Sequence, residues 1–86
     1  MVYKKKMKVR IHITLKTGVL DPQGKAIQTS LGALGFDGVD NVRQGKFIEL
    51  NIAEDGEAAA RDRLTEMCEQ LLANTVIENY TIELEA

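Results

Sequence analysis

Every second residue is apolar between residues 7 and 16. A period of two is typical of a β-strand that buries one face. We therefore predict a strand with Val9, Ile11, Ile13 and Leu15 toward the core and Lys8, Arg10, His12, Thr14 and Lys16 on its polar face.

A helix is predicted after the loop that ends this strand. Asp21 can accept hydrogen bonds from the free N–H groups of the first turn, and Pro22 suits the first helical position because it has no N–H to lose. Gly35 marks the expected end, where a left-handed residue is common. The apolar stripe of this helix has helical spacing and comprises Ile27, Leu31 and Leu34.

The remaining residues predict three more strands and one more helix. Residues 39–43 and 46–52 are expected to form a hairpin around Gln44-Gly45, because glycine accepts the positive φ of the second turn position. A second helix begins near Asp55, and steps of three and four define its apolar stripe. That stripe comprises Ala60, Leu64, Met67, Cys68, Leu71 and Leu72, and the last strand alternates at Tyr80, Ile82 and Leu84.

The predicted order β-α-β-β-α-β is that of a ferredoxin-like, two-layer α+β sandwich. Right-handed crossovers would place both helices on one face of an antiparallel sheet whose first strand is central. Residues 7–86 form a single domain in this interpretation, and residues 1–6 form a basic N-terminal extension.

The other face of the sheet would carry paired charges. Basic residues of the first strand would lie beside acidic residues of its neighbours, namely Glu49, Glu83 and Glu85. Phe47 and Ile77 are expected on the same side, so solvent or a partner could cover this face, and both options stay open.

Composition narrows the function classes. The 86 residues carry a net charge of −2, with 44% hydrophobic and 28% charged residues, as in ordinary globular domains. A solvated terminus explains the basic residues at positions 4–10 more simply than contact with phosphates, so we do not expect nucleic acid as a partner. A single cysteine and no hydrophobic stretch of signal-peptide or membrane-spanning length favour a cytoplasmic protein without a membrane partner.

No catalytic group stands out from the sequence. His12 lies in the middle of a strand, with neither a nucleophile nor an orienting carboxylate near it in the chain. Cys68 lies on an apolar stripe, where a free cysteine packs as a small core residue. No glycine pattern predicts a phosphate loop, and no spacing of ligands predicts a metal. We therefore predict no catalytic, cofactor-binding or metal residue in this chain.

Two function classes fit these observations. One is a structural or regulatory subunit that docks by its sheet or loops. The other is a regulatory module of ferredoxin-like fold that senses a small metabolite.

Several segments in order favour the first class. The most specific runs from Leu15 to Ile27 and contains Gly-Val-Leu-Asp-Pro-Gln-Gly. Others are Leu34-Gly-Phe36, Val42-Arg-Gln-Gly-Lys46 with Glu49, Cys68-Glu-Gln-Leu-Leu-Ala-Asn74 and Val76-Ile-Glu-Asn-Tyr80. Together they cover almost the whole chain from Met7 and resemble the PurS family, the small subunit of phosphoribosylformylglycinamidine (FGAM) synthase. Thr75 departs from the pattern, since the family usually has proline there.

This resemblance implies a subunit of a three-component, glutamine-dependent carbon-nitrogen ligase of purine biosynthesis. A glutaminase, PurQ, would release ammonia, and a large synthetase, PurL, would use ATP and magnesium to convert formylglycinamide ribonucleotide to the amidine. The PurS-like chain would carry neither active site and no cofactor. It would act as a homodimer, with a tetramer left open, that bridges PurL and PurQ and aids ammonia transfer.

Two segments are predicted to dock these partners. The apolar pair Val19-Leu20 interrupts a polar loop, which either a partner or the end of the core would explain. The predicted interface comprises Lys16, Thr17, Gly18, Val19, Leu20, Asp21, Pro22, Gln23, Gly24, Asn74, Ile77, Glu78, Asn79 and Tyr80.

Overall fold

A computed structural model describes residues 4–85, which contain three strands and two α-helices in the order β-α-β-α-β. These are strand β1 (Lys5–Leu15), helix α1 (Pro22–Ala33), strand β2 (Gly45–Glu54), helix α2 (Glu57–Met67) and strand β3 (Glu78–Glu85). A π-helical turn, Cys68–Leu72, continues α2. The predicted α+β class with an antiparallel sheet is confirmed.

The sheet has the order β2-β1-β3, which confirms the central position of the first strand. Ile11 lies opposite Ile48 on one side and Ile82 on the other, and the next row places Val9 between Leu50 and Leu84. Because side chains alternate along each strand, these rows form one continuous apolar face. The strand begins earlier than expected, since Lys5 and Lys6 of the predicted extension already pair with β2.

Helix α2 covers this apolar face. Its side chains Ala60 and Leu64, with Cys68 from the π-helical turn, are completely buried against the odd-numbered residues of β1. The prediction that Cys68 is a core residue is therefore confirmed, and burial raises the pKa of its thiol.

Leu71 does not follow the predicted stripe, because it is 82% exposed. The N–H of Ala73 donates to the carbonyl of Cys68 at 3.0 Å, a hydrogen bond that spans five residues instead of four. The wider turn shifts the side chains that follow Cys68, so Leu72 still packs against the core whereas Leu71 points away from it.

The strand predicted at residues 39–43 is wrong, and this removes the fourth strand. Asn41 has a φ of 58°, in the left-handed region, which interrupts an extended backbone. The N–H groups of Val42 and Gln44 donate to the side chains of Gln28 and Asp21, at 3.4 and 2.7 Å. The segment therefore runs beside the first turns of α1 and not beside a strand.

The hairpin turn predicted at Gln44-Gly45 is wrong for the same reason. Gly45 already belongs to β2 and does not have a positive φ. A side chain at this position would collide with the backbone carbonyl of Ile13 on β1, so glycine is needed for the close approach of the two strands.

Helix α1 begins and ends as predicted. Asp21 caps its first turn by accepting a hydrogen bond from the N–H of Gly24 at 2.9 Å, and Pro22 occupies the first position. The helix ends at Ala33, two residues before Gly35, whose φ is 93°.

The expectation that α1 also covers the sheet is not met within one chain. No residue of α1 belongs to the core, and Leu34, which follows the helix, is 74% exposed. The radius of gyration is 17.1 Å, against about 12 Å for a compact domain of this length. Helix α1 therefore projects from the sheet, with Ile27 and Leu34 of its apolar stripe exposed and Leu31 half-buried.

Candidate docking surface

The two predicted docking segments meet at one end of the sheet. The N–H of Lys16 donates to the carbonyl of Ile77 at 2.8 Å, where β1 ends and β3 is about to begin. The ammonium group of Lys46 lies 3.4 Å from a carboxylate oxygen of Glu78, so the start of β2 closes the same end. We call residues 16–24 and 74–80 together the docking end.

The loop of the docking end is tied to the chain before β2 by Arg43. Its Nη1 donates to the carbonyl of Val19 at 3.1 Å. Its Nη2 donates to the carbonyls of Leu15 and Lys16 at 3.3 and 3.1 Å. The next residue, Leu20, is 72% exposed and lies outside the core, so covering the core does not explain its apolar side chain.

Asp21 anchors the other end of this loop. Its buried carboxylate accepts hydrogen bonds from the N–H of Gln44 at 2.7 Å and of Gly24 at 2.9 Å. These two backbone donors, led by Gln44, stabilise the charged form and hold the pKa of Asp21 below its usual value. Gly24 fits this site because a side chain would collide with the carbonyl of Val42.

A tight turn forms the second segment. The N–H groups of Ile77 and Glu78 both donate to the carbonyl of Asn74, at 3.0 and 2.7 Å. The Glu78 carboxylate in return accepts from the N–H of Asn74 at 2.6 Å, and this hydrogen bond, helped by Lys46, lowers the pKa of Glu78. Val76 lies within the turn and is 81% exposed.

Tyr80 joins strand β3 to the end of helix α2. Its hydroxyl donates to a carboxylate oxygen of Glu69 at 2.7 Å, which raises the pKa of Tyr80 to about 12. Both side chains line a shallow depression of about 340 Å³ with Lys16 and Thr75. The predicted residues Lys16 and Tyr80 therefore share one surface.

The open face of the sheet carries the predicted cross-strand charges. Its ion pairs are Lys8–Glu49 at 3.7 Å, Arg10–Glu85 at 3.0 Å and His12–Glu83 at 3.2 Å. The ring of Phe47 lies 5.0 Å from that of His12. Glu83 gives His12 a carboxylate neighbour that its local sequence lacks, because β3 brings it there from far along the chain.

Sequence reasoning missed two residues of this surface. Arg43 and Gln44 belong to a segment that was interpreted only as a strand and a turn, although its Val-Arg-Gln-Gly-Lys run is part of the family resemblance. Val76 lies inside the segment from Asn74 to Tyr80 that the sequence predicts as docking surface, next to the apolar Ile77.

The described part of the chain has neither a metal-binding cluster nor a membrane-spanning helix. Across residues 4–85, no three His, Cys, Asp or Glu side chains come together in a way that could hold a metal ion. In the same range, neither helix has the length and apolar character needed to cross a membrane.

Comparison with known proteins identifies the family. The sequence model of PurS, described as phosphoribosylformylglycinamidine (FGAM) synthase, matches residues 8–86. The chain belongs to the PurS family. The FGAM synthase subunit PurS of Synechocystis sp. is 56% identical over 77 residues, which cover 90% of this chain and 77% of that protein.

Solved PurS structures share the fold. PurS of Methanocaldococcus jannaschii, one of the subunits of formylglycinamide ribonucleotide amidotransferase, has a TM-score of 0.82 and 43% identity, covering 92% of this chain and 95% of that one. A chain in the structure of PurLQS from Thermotoga maritima has a TM-score of 0.86 and 29% identity, covering 93% and 98%.

PurS membership confirms the resemblance seen in the sequence. The chain is a subunit of FGAM synthase, a glutamine-dependent ligase complex of purine biosynthesis. The alternative of a metabolite-sensing module finds no support among these relatives.

Proposed function

We propose that this PurS chain bridges a PurL-like synthetase and a PurQ-like glutaminase, and that it binds them through its docking end. The observation that carries the proposal is the exposure of Leu20 and Val76 at an end of the sheet that hydrogen bonds otherwise hold in place. Exposed apolar side chains on an ordered base are typical of interface anchors. The similarity to a chain of the PurLQS structure supports the same role.

The chain would align the active sites of its two partners and would not supply a catalytic group itself. Ammonia released from glutamine is protonated in water, so the two active sites must be joined and shielded from solvent. A rigid adaptor that aligns them raises the rate without supplying a catalytic group. ATP and magnesium are then used by the large subunit, and the chain itself contributes no cofactor site. The cytoplasm is the proposed compartment, which suits the single free thiol of Cys68.

We further propose that a second copy of the chain covers helix α1. Ile27 and Leu34 of its apolar stripe are exposed in the single chain, Phe36 beyond the helix is also exposed, and the molecule is elongated. A domain of this size rarely gains enough stability from its own core, and oligomerisation is a usual remedy.

Light scattering coupled to size-exclusion chromatography tests the homodimer. We expect twice the chain mass of 9.5 kDa, or four times that mass if two dimers associate. Ile27→Asp with Leu34→Asp should reduce the measured mass to one chain, because each places a charge on the covered stripe. A single-chain mass for the unaltered protein would contradict the homodimer.

Reconstitution tests the bridging role. Adding the chain to a PurL–PurQ mixture should restore glutamine-dependent FGAM synthesis, and Val19→Asp with Leu20→Asp should weaken this effect. The matched control is Ala58→Asp with Ala59→Asp, an exposed pair on α2 near the opposite end of the sheet. If adding the unaltered chain does not change FGAM synthesis by the PurL–PurQ mixture, the bridging role is contradicted. A Val19-Leu20 variant that assembles normally would contradict only the choice of docking end.

A further inference from the structure

We propose that Arg43 is a positioning residue that holds the docking loop in its binding-competent conformation. This inference rests on the proposed bridging function. A single exposed guanidinium group reaches three backbone carbonyls, that of Leu15 at the end of β1 and those of Lys16 and Val19 in the loop, at 3.1 to 3.3 Å.

The loop has few other restraints. Within residues 16–20, the other backbone hydrogen bonds across the loop are those of Lys16 with Ile77 and of Val19 with Lys16, at 2.8 and 3.1 Å. An exposed loop with so few hydrogen bonds is mobile in the free protein. If it becomes ordered only when the partner binds, the loss of conformational entropy weakens binding. Arg43 removes part of that cost by ordering the loop in advance.

Arg43 is itself held from both sides. The N–H of Val42 donates to Gln28 in the middle of α1, and that of Gln44 donates to Asp21 at its N-cap, so these two side chains fix the backbone around Arg43. Arg43 therefore connects helix α1 to the loop that carries Leu20. No catalytic group is involved in this role.

The planar fork of arginine suits this task. Its N–H groups lie in fixed directions and can reach several acceptors at once, whereas a lysine ammonium is a compact point charge. Arg43→Lys keeps the charge but not the fork, so it should behave like Arg43→Gln. A merely electrostatic role would instead be rescued by lysine.

The test measures FGAM synthesis by fixed PurL and PurQ against rising concentrations of the PurS chain. For Arg43→Gln and Arg43→Lys we expect the half-maximal concentration to rise about tenfold, with the rate at saturation close to that of the unaltered chain. Arg61→Gln is the matched control, because this exposed arginine also donates to a carbonyl, that of Ile82, away from the docking end. Identical concentration curves for Arg43→Gln and the unaltered chain would overturn the inference.

Hydrogen exchange separates this inference from the bridging function. In isolated Arg43→Gln, the hydrogen-bonded amides of Lys16 and Val19 should exchange about tenfold faster, while those of Val9 and Ile11 in the core should not change. Unchanged exchange in the loop, or equally faster exchange in the core, would refute the positioning role. If the unaltered chain does not stimulate PurL and PurQ, the bridging function is contradicted. Hydrogen exchange still decides in that case whether Arg43 orders the loop.

Discussion

The carboxylate of Asp21 accepts a hydrogen bond from the N–H of Gln44 at 2.7 Å, while its other oxygen caps α1 through Gly24 at 2.9 Å. One buried side chain, only 7% exposed, thus joins the start of α1 to the residue before β2. The same pair explains why the chain before β2 lies beside the helix and why the docking loop ends at a fixed point.

Removing the acceptors of Asp21 should destabilise the protein in two steps. Asp21→Asn keeps one acceptor oxygen and should lower Tm by about 5 °C, whereas Asp21→Ala keeps none and should lower it by about 10 °C. Thermal unfolding followed by circular dichroism measures both. Asp62→Ala, at an exposed position of α2, is the control. Equal Tm values for Asp21→Ala and this control would contradict the prediction.

The contribution of Asp21 should also depend on pH. Its pKa in the folded protein is below the usual 3.8, so the charged form stabilises the fold above about pH 4. That stabilisation is lost as the pH falls through the folded-state pKa. The difference in Tm between the unaltered protein and Asp21→Asn should therefore be constant from about pH 8 to 5 and shrink below about pH 4. A difference that grows in acid would have the wrong sign.

Tyr80 should ionise late in an alkaline titration. The hydrogen bond to Glu69 raises its pKa to about 12, so this contact stabilises the fold below pH 10 and is lost as the pH rises toward 12. In a Tyr3→Phe background, absorbance near 295 nm reports Tyr80 alone, with circular dichroism to check folding. Adding Glu69→Gln should move the midpoint toward 10.0, and an unchanged midpoint would rule out Glu69 as the cause.

Proline at position 75 should stabilise the protein. Thr75 occupies the second position of the turn that the hydrogen bond between Asn74 and Ile77 closes, where the fixed φ of proline is favourable. We expect Thr75→Pro to raise the free energy of unfolding by about 0.5 kcal/mol in urea titrations. Val76→Pro should lower it, because the Val76 N–H donates to the Asn74 side chain at 3.2 Å. A less stable Thr75→Pro would mean that the backbone here does not suit proline.

Two leucines of the predicted α2 stripe should respond very differently to truncation. Leu64 is completely buried, so Leu64→Ala should lower the free energy of unfolding by about 3 kcal/mol. Leu71 follows the π-helical turn and is exposed, so Leu71→Ala should change it by less than about 0.5 kcal/mol. Urea unfolding at one temperature compares the two. Similar losses would show that Leu71 packs in the core after all.

Much of the fold follows from short stretches of the sequence. The alternation in β1 correctly separates buried Ile11 from exposed His12, and the Asp21-Pro22 pair correctly marks the start of α1. Both signals act over a few residues, because strand period and helix capping depend on neighbours in the chain. The sequence segments that begin with Leu15 to Ile27 also indicate the PurS family without any knowledge of contacts.

The tertiary structure alone decided where the ambiguous segments lie. Residues 39–43 contain two valines, which favour a strand, but the N–H groups of Val42 and Gln44 find acceptors in Gln28 and Asp21. Likewise, no local pattern indicates that Arg43 reaches the docking loop or that α1 leaves the sheet. These outcomes depend on hydrogen bonds and packing between residues far apart in the chain. Alternative hydrogen-bond partners for one group differ little in energy, so the choice among them is made only when the fold brings one within reach.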